Sequence, residues 1–372
     1  MRKDLRLNKP VAAAAFRVAS MIALLPACAH AGDRATGDWG GVRTTLADRG
    51  VEVEADYTGE STVLDGDDEI SYLGNLDLYV TFDTEKLHAW SGGTVFVYGE
   101  NKHGSGLSDD LGLLMQVTNL EASSFTQLSE FWLEQQLGGH IVFRLGKQDA
   151  NRDFASPRFA GNFINSSFGV LPGSPLPSYP APALGVAVLA DWTKWFGARA
   201  GIYEGEPRVE SFGAHAFEDH AGVFAVASLH LEHSLLGQED AGQLEAGGWT
   251  HSGEDRSGVY GVYDLLLYQH PENKDDQRSV QGFVRGGWSS EQPDQIGTYV
   301  GGGLTAHGFL GMHNTIGVGT GYVKSDTTHE TFVELMFKWR PRPWFTVEPD
   351  VQVYDTEHGH PVFFVLRVKL KL

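Results

Sequence analysis

The segment Val362-Phe363-Phe364-Val365-Leu366-Arg367-Val368-Lys369-Leu370-Lys371-Leu372 reads with a period of two. Val362, Phe364, Leu366, Val368, Leu370 and Leu372 form one row, and Arg367, Lys369 and Lys371 fall in the other. Successive side chains of a strand point to opposite faces, so this is a strand with one apolar and one basic side. A soluble sandwich turns its apolar row inward. A membrane barrel turns that row outward to lipid and surrounds water with the charged one.

The same alternation recurs upstream. Phe345, Val347, Pro349, Val351 and Val353 oppose Thr346, Glu348, Asp350, Gln352 and Tyr354; Thr331, Val333, Leu335, Phe337 and Trp339 oppose Glu334, Met336 and Lys338. Near the start, Leu76, Leu78, Val80 and Phe82 oppose Asp77, Tyr79, Thr81 and Asp83, while Val51, Val53, Ala55 and Tyr57 oppose Glu52, Glu54 and Asp56. A closed dry core cannot hold charges on one face of nearly every strand, because each unpaired buried charge costs several kcal/mol or more. The interior is therefore expected to be wet.

Strand-like runs number about sixteen, from 51–58 and 75–83 at one end to 345–354 and 362–372 at the other. An even count suits a single-chain bacterial barrel. The long connections 102–128 and 149–183 fall on one side, and short ones such as 137–140 and 340–344 on the other. That asymmetry is the one expected of outer loops and periplasmic turns. Connections 84–93, 231–242 and 269–279 are longer than such turns should be. Trp90, Trp192, Trp195, Trp249, Trp288, Trp339 and Trp344 lie near strand ends, where interfacial girdles belong. The expected fold is all-β: a transmembrane antiparallel up-and-down barrel of about sixteen strands, with a short N-terminal helix and one long loop folded inward.

Arg2, Lys3, Arg6, Lys9 and Arg17 precede the apolar run Val18–Leu25 and the small-residue site Ala29-His30-Ala31. This order predicts a cleaved export signal over 1–31. Reading Cys28 as a lipid acceptor is the alternative, and Pro26 fits that signal poorly. Residues 32–50 form a separate N-terminal segment, periplasmic or lumenal, where Asp38 is the expected cap of a short helix ended by Gly50; 51–372 is the barrel. Cys28 is the only cysteine, so thiolate chemistry and disulfides are absent from the expected mature chain. The net charge of −20, or −24 without residues 1–31, argues against nucleic acid as a partner. No run of eighteen apolar residues follows the signal, which excludes helical spans and leaves a strand-built one open.

Gly37-Asp38-Trp39-Gly40-Gly41-Val42-Arg43-Thr44, followed by Tyr57-Thr58-Gly59-Glu60, resembles the start of the carbohydrate-selective porin (OprB) family. The likeness continues through Leu128-Ser129-Glu130-Phe131-Trp132-Leu133-Glu134-Gln135, Arg144-Leu145-Gly146-Lys147, Asp153-Phe154-Ala155, Gly201-Ile202-Tyr203-Glu204 and Pro343-Trp344-Phe345-Thr346-Val347-Glu348-Pro349. The resemblance implies a monomer or homotrimer in outer-membrane lipid that passes glucose and other small sugars by facilitated diffusion, with no cofactor. Two features depart from the pattern: the acidic stretch Asp65 to Glu69, and Leu372 where such barrels carry an aromatic residue.

A sugar pore needs planar polar groups that exchange hydrogen bonds with water, aromatic faces for pyranose rings, and sites shallow enough to leave. The connection 149–183 offers Arg152, Asp153, Phe154, Arg158, Asn162 and Asn165, and its length suits a functional loop. Folded inward, it would present Arg152 and Arg158 as forked donors and the asparagines as donors and acceptors; a surface loop is the alternative. On the wall, Glu130, Trp132 and Glu134 share one face of the fourth strand, and Arg144 is placed to stand beside them. Ordinary cross-strand pairing explains those four residues equally well. Gly301 and Gly303, with Gly317, Gly319 and Gly321, leave bare stripes against which a loop or the N-terminal helix is expected to pack.

The histidine pairs His358/His360 and His230/His233 sit in expected turns without partner ligands, so no metal site is assigned. Carboxylates are too frequent for Glu130 and Glu134 to mark a glycosidase, and no Gly-x-Ser-x-Gly motif is present, so no catalytic residue is expected. The alternative of another class is a barrel acting as receptor, adhesin or polysaccharide exporter through its long loops. A soluble all-β protein is the third.

Overall fold

Alternating rows of apolar and charged side chains become a single closed sheet. The computed structural model describes residues 32–211, 222–235, 238–269, 278–290, 295–311 and 313–372. Among these, sixteen strands pair in sequence order, each antiparallel to its neighbours, and the last closes on the first. They are β1 (Val51–Leu64), β2 (Ile70–Asp83), β3 (Gly93–Gly104), β4 (Phe125–Leu137), β5 (Ile141–Gln148), β6 (Ala183–Thr193), β7 (Phe196–Glu204) and β8 (Val223–Leu235). The second half is β9 (Gln238–His251), β10 (Arg256–Gln269), β11 (Ser279–Ser289), β12 (Thr298–His307), β13 (Asn314–Lys324), β14 (His329–Arg342), β15 (Phe345–Thr356) and β16 (Val362–Lys371). Closure removes the unpaired edges that an open sheet would expose.

Adjacent residues of β14 show which face is which. Leu335 is 55% exposed on the outside, whereas Glu334 is 0% exposed on the inside. Val333 and Trp339 share the outer row with Leu335, and Glu330, Phe332 and Met336 share the inner one with Glu334. In β16, Phe363, Val365 and Arg367 are buried on the lumen side. The core thus lies inside the cylinder, made of wall side chains and of two loops that fold in against them.

Several boundaries differ from expectation. β1 and β2 extend well past the expected runs because their register continues from Val51↔Phe82 to Val63↔Ile70. The expected long connection 231–242 is mostly strand, with β8 and β9 pairing as far as Leu235↔Gln238. Residues 84–92 do form a longer turn, closed by Thr84 Oγ1 donating to the Trp90 and Gly93 carbonyls. Most of the 269–279 connection, and the expected export signal, lie outside the described residues. Trp90, Trp192, Trp195, Trp288 and Trp339 are exposed near strand ends, but Trp249 points inward and is buried near Phe224, so it joins the core and no girdle. His230 and His233 belong to β8 and not to a turn.

Before β1, a 3₁₀ turn (Trp39–Gly41) leads into α1 (Val42–Asp48). Asp38 does satisfy an orphan donor of α1, accepting from Thr44 N and Thr44 Oγ1 at 2.9 Å each. It acts from outside the expected N-cap position, which Gly41 holds at φ 95°. The segment sits on the seam between β1 and β16: Ala35 N donates to the Lys371 carbonyl at 2.7 Å, and Arg43 Nη2 to the Leu372 main-chain oxygen at 3.1 Å. Neither α1 nor this turn enters the glycine stripes.

Candidate functional site: two loops inside the barrel

Residues 149–182, between β5 and β6, turn into the lumen and cross it. Their apolar side chains explain the direction, since Phe154, Phe163, Ile164 and Phe168 are almost wholly buried. The glycine stripes supply the space. A Cβ on Gly303 would stand 2.7 Å from the Phe163 ring, and one on Gly319 would stand 2.7 Å from Phe168. Phe163, Phe168 and Phe283 cluster with ring centroids 5.0–5.9 Å apart. So a loop, and not the helix, occupies the bare wall.

The loop also carries backbone groups into the interior, and each needs a partner there. Wall carboxylates provide acceptors. Glu334 of β14 accepts from Ile164 N at 2.7 Å and Asn165 N at 3.2 Å. Asp264 of β10 accepts from Arg158 N and Phe159 N at 3.0 and 3.2 Å, and Glu245 of β9 from Ala155 N at 3.1 Å.

A second loop, 105–124, folds inward as well. Glu330 accepts from Leu114 N and Met115 N at 3.0 and 2.9 Å, while Gln352 and Tyr354 of β15 donate to the Val117 and Met115 carbonyls. Arg367 bonds Glu60 across the β1–β16 seam and reaches Thr118 and Asn119. Sequence reasoning placed this segment outside. The available signal was the apolar set Leu111, Leu113, Leu114, Met115 and Val117 within an expected outer loop.

Charged side chains of the wall and the long loop meet where that loop leaves β5. Arg144 is held between wall and loop, with Nε and Nη2 on Glu134 at 2.9 and 2.7 Å and Nη1 on Asp153 at 2.5 Å. Arg152 Nη2 donates to Glu130 at 2.7 Å. Both guanidinium groups lie over Trp132, at 4.8 and 5.6 Å from its ring, and Arg152 also lies 5.2 Å from Phe96. Glu130 further accepts from Trp132 Nε1 and Asp149 N. Burial, together with the Glu130 charge, pushes the Asp149 carboxyl up to about 7.

Six expected residues thus converge: Glu130, Trp132, Glu134, Arg144, Arg152 and Asp153. Arg152 stays 41% exposed, and its other N–H groups are unbonded among the described residues. Arg158 is exposed beside Phe159, and Asn162 is half-buried, accepting from Lys338 Nζ at 3.0 Å. Phe154 and Asn165 are placed differently. Phe154 is enclosed in the core, and the Asn165 amide is spent on Gln352, Tyr354 and Ser167. Sequence reasoning overlooked Arg285 of β11, whose signal was a lone arginine on the inner row with Phe283. Among the described residues, no group of three or more His, Cys, Asp or Glu side chains could hold a metal ion.

Residues 67–256 and 251–356 match the carbohydrate-selective porin, OprB family. Porin B of Pseudomonas aeruginosa is 27% identical over 282 residues, which cover 68% of this chain and 60% of that protein. The chain therefore spans about three-fifths of that relative's length. The high-pH structure of Pseudomonas putida OprB superposes with a TM-score of 0.80 at 18% identity, covering 93% of this chain and 100% of the other. A mutant of Rh. blastica porin shares the fold more distantly, with a TM-score of 0.55 at 10% identity over 87% of this chain and 100% of the other. Family and fold imply an outer-membrane channel, and the chain belongs to the carbohydrate-selective porin, OprB family.

Proposed function

We propose that the protein is a passive outer-membrane pore for small carbohydrates, chiefly monosaccharides and short oligosaccharides, and that it performs no catalysis. One observation carries the reading. A loop crosses the lumen of a closed barrel and leaves an arginine, Arg152, partly open above two aromatic rings and beside a carboxylate. Guanidinium groups donate to vicinal hydroxyls, carboxylates accept from them, and ring faces suit the C–H side of a pyranose. Each contact is shallow and wet, which suits transit better than retention. Arg158 and Asn162 would extend the polar track along the loop. Because Arg144 is flanked by Glu134 and Asp153, the local field orients dipoles without strongly selecting one ion sign.

The chain reaches this place through a leader cleaved after Ala31 and works as a monomer or homotrimer in outer-membrane lipid. Liposome swelling with solutes of graded size tests the transport reading. Swelling in glucose that declines through longer oligosaccharides supports it. Vesicles that stay impermeable to all of them, with folded protein inserted, would point to the receptor, adhesin or exporter reading.

A further inference from the structure

Arg285 is a fully buried guanidinium that serves main-chain carbonyls. Among the described residues no carboxylate lies within ion-pair distance of it. Nη1 donates to the Ala155 carbonyl at 2.7 Å and to that of Gly169 at 3.3 Å; Nη2 donates to Val170 at 3.0 Å and to Ser167. Tyr299 of β12 supports the same point, donating to the Ser167 carbonyl at 2.9 Å with its ring 5.7 Å from the guanidinium carbon.

These four acceptors belong to two separate parts of the crossing loop. One side chain therefore joins residue 155 to residues 167–170, and the stretch between them is drawn into a lobe. That lobe carries Arg158 and Asn162. Asp264 and Glu334 hold it from other strands by its N–H groups, so carbonyls go to the guanidinium and amides to carboxyl oxygens. Lysine offers three donors from one point and cannot reproduce the flat two-pronged reach of a guanidinium. Burying an arginine without a carboxylate partner is costly, which makes a purely space-filling role a poor account of it.

We propose that Arg285 is a positioning residue that sets the aperture: it fixes the 155–170 lobe, and through it the size of solute the pore admits. This deepens the transport reading and rests on it, so the test needs one readout independent of sugar. Cys28 is the only cysteine, and a Cβ at Gly161 meets nothing within 4 Å. Gly161→Cys in a Cys28→Ser background thus takes a single nitroxide label on the lobe. With Arg285→Met added, the label's spectrum should become mobile while heat-modifiable migration still reports a closed barrel. In planar bilayers the same variant should show higher conductance with frequent sublevels and admit oligosaccharides that the parent excludes. Arg285→Lys should fall between the two. A label that stays immobile and a conductance that stays unchanged in Arg285→Met would overturn the proposal, even if sugar flux is normal. Should Arg285→Met fail to close, Arg285→Lys decides: partial mobility supports the role, and a spectrum identical to the parent's refutes it. Absence of sugar flux in the parent, with the label still loosened by Arg285→Met, would refute only the transport reading and leave the loop role standing.

Discussion

Gly319 of β13 lies directly beneath Phe168: a single carbon added to the glycine would stand 2.7 Å from the ring's Cε2 and 3.1 Å from Phe163. Neither ring has room to withdraw, because both are buried against Phe283. Gly319→Leu should therefore either strain the interior by about 1–3 kcal/mol or dislodge the crossing loop. Urea titration of heat-modifiable migration, combined with bilayer conductance, reads both outcomes. A variant with parental midpoint and parental conductance would show that the ring contact is unimportant.

On the outer face, Leu335 sits in mid-strand between Val333 and Phe337. If this row meets lipid, Leu335→Arg should destabilise the inserted barrel by about 2–4 kcal/mol. Reversible unfolding from vesicles measures the difference. Thr331→Arg, closer to the strand end, should cost much less. Equal costs at the two depths would contradict a membrane-facing row.

The parity of the wall was legible because a two-residue period is a local property: whether Leu335 and Glu334 part company can be seen within five residues. The course of the loops was less so. Glu334 and Asn165 are 169 positions apart, and no local pattern announces that a wall carboxylate will accept a loop amide. The length and aromatic content of 149–183 identified it as functional, and the glycine stripes showed that something must fill them. The exposure of individual side chains was not readable, so Phe154 and Asn165 stood beside Arg152 as equals until packing separated them. Loop 105–124 escaped notice because its anchors, Glu330, Gln352 and Tyr354, look like ordinary members of inner rows.

Removing the open guanidinium should change what passes. Arg152→Ala leaves Glu130 without its cation and Phe96 without its cover, while Arg144 still lies over Trp132. The reversal potential in a salt gradient should move toward cation preference, and glucose flux relative to ion conductance should fall. Arg152→Lys, which keeps the charge but not the fork, should restore ion preference more fully than glucose flux. An unchanged reversal potential in Arg152→Ala would remove this residue from the path.

Asp149 provides a pH signature. Its carboxyl is raised from 3.8 to about 7, so the folded state holds this proton more tightly than the unfolded state does. Between about pH 4 and 7 the folded form is the more protonated, and stability falls as pH rises through that window before levelling off. Asp149→Asn should remove this component, so that variant and parent diverge progressively from pH 4 to 7 and run parallel above it. Denaturation midpoints across that range measure the divergence. A constant gap would mean that Asp149 titrates normally.

The seam between β1 and β16 has a consequence for timing. Asp56 pairs with Lys371, and Arg43 reaches Leu372, 329 positions away. Every other strand meets a neighbour that is close in sequence, but this junction joins the earliest strand to the latest one. Loop-closure entropy delays such distant pairings, so a cylinder built this way should stay open along one line until its final strand arrives. Residues 34–48 would then act as a latch that snaps shut last.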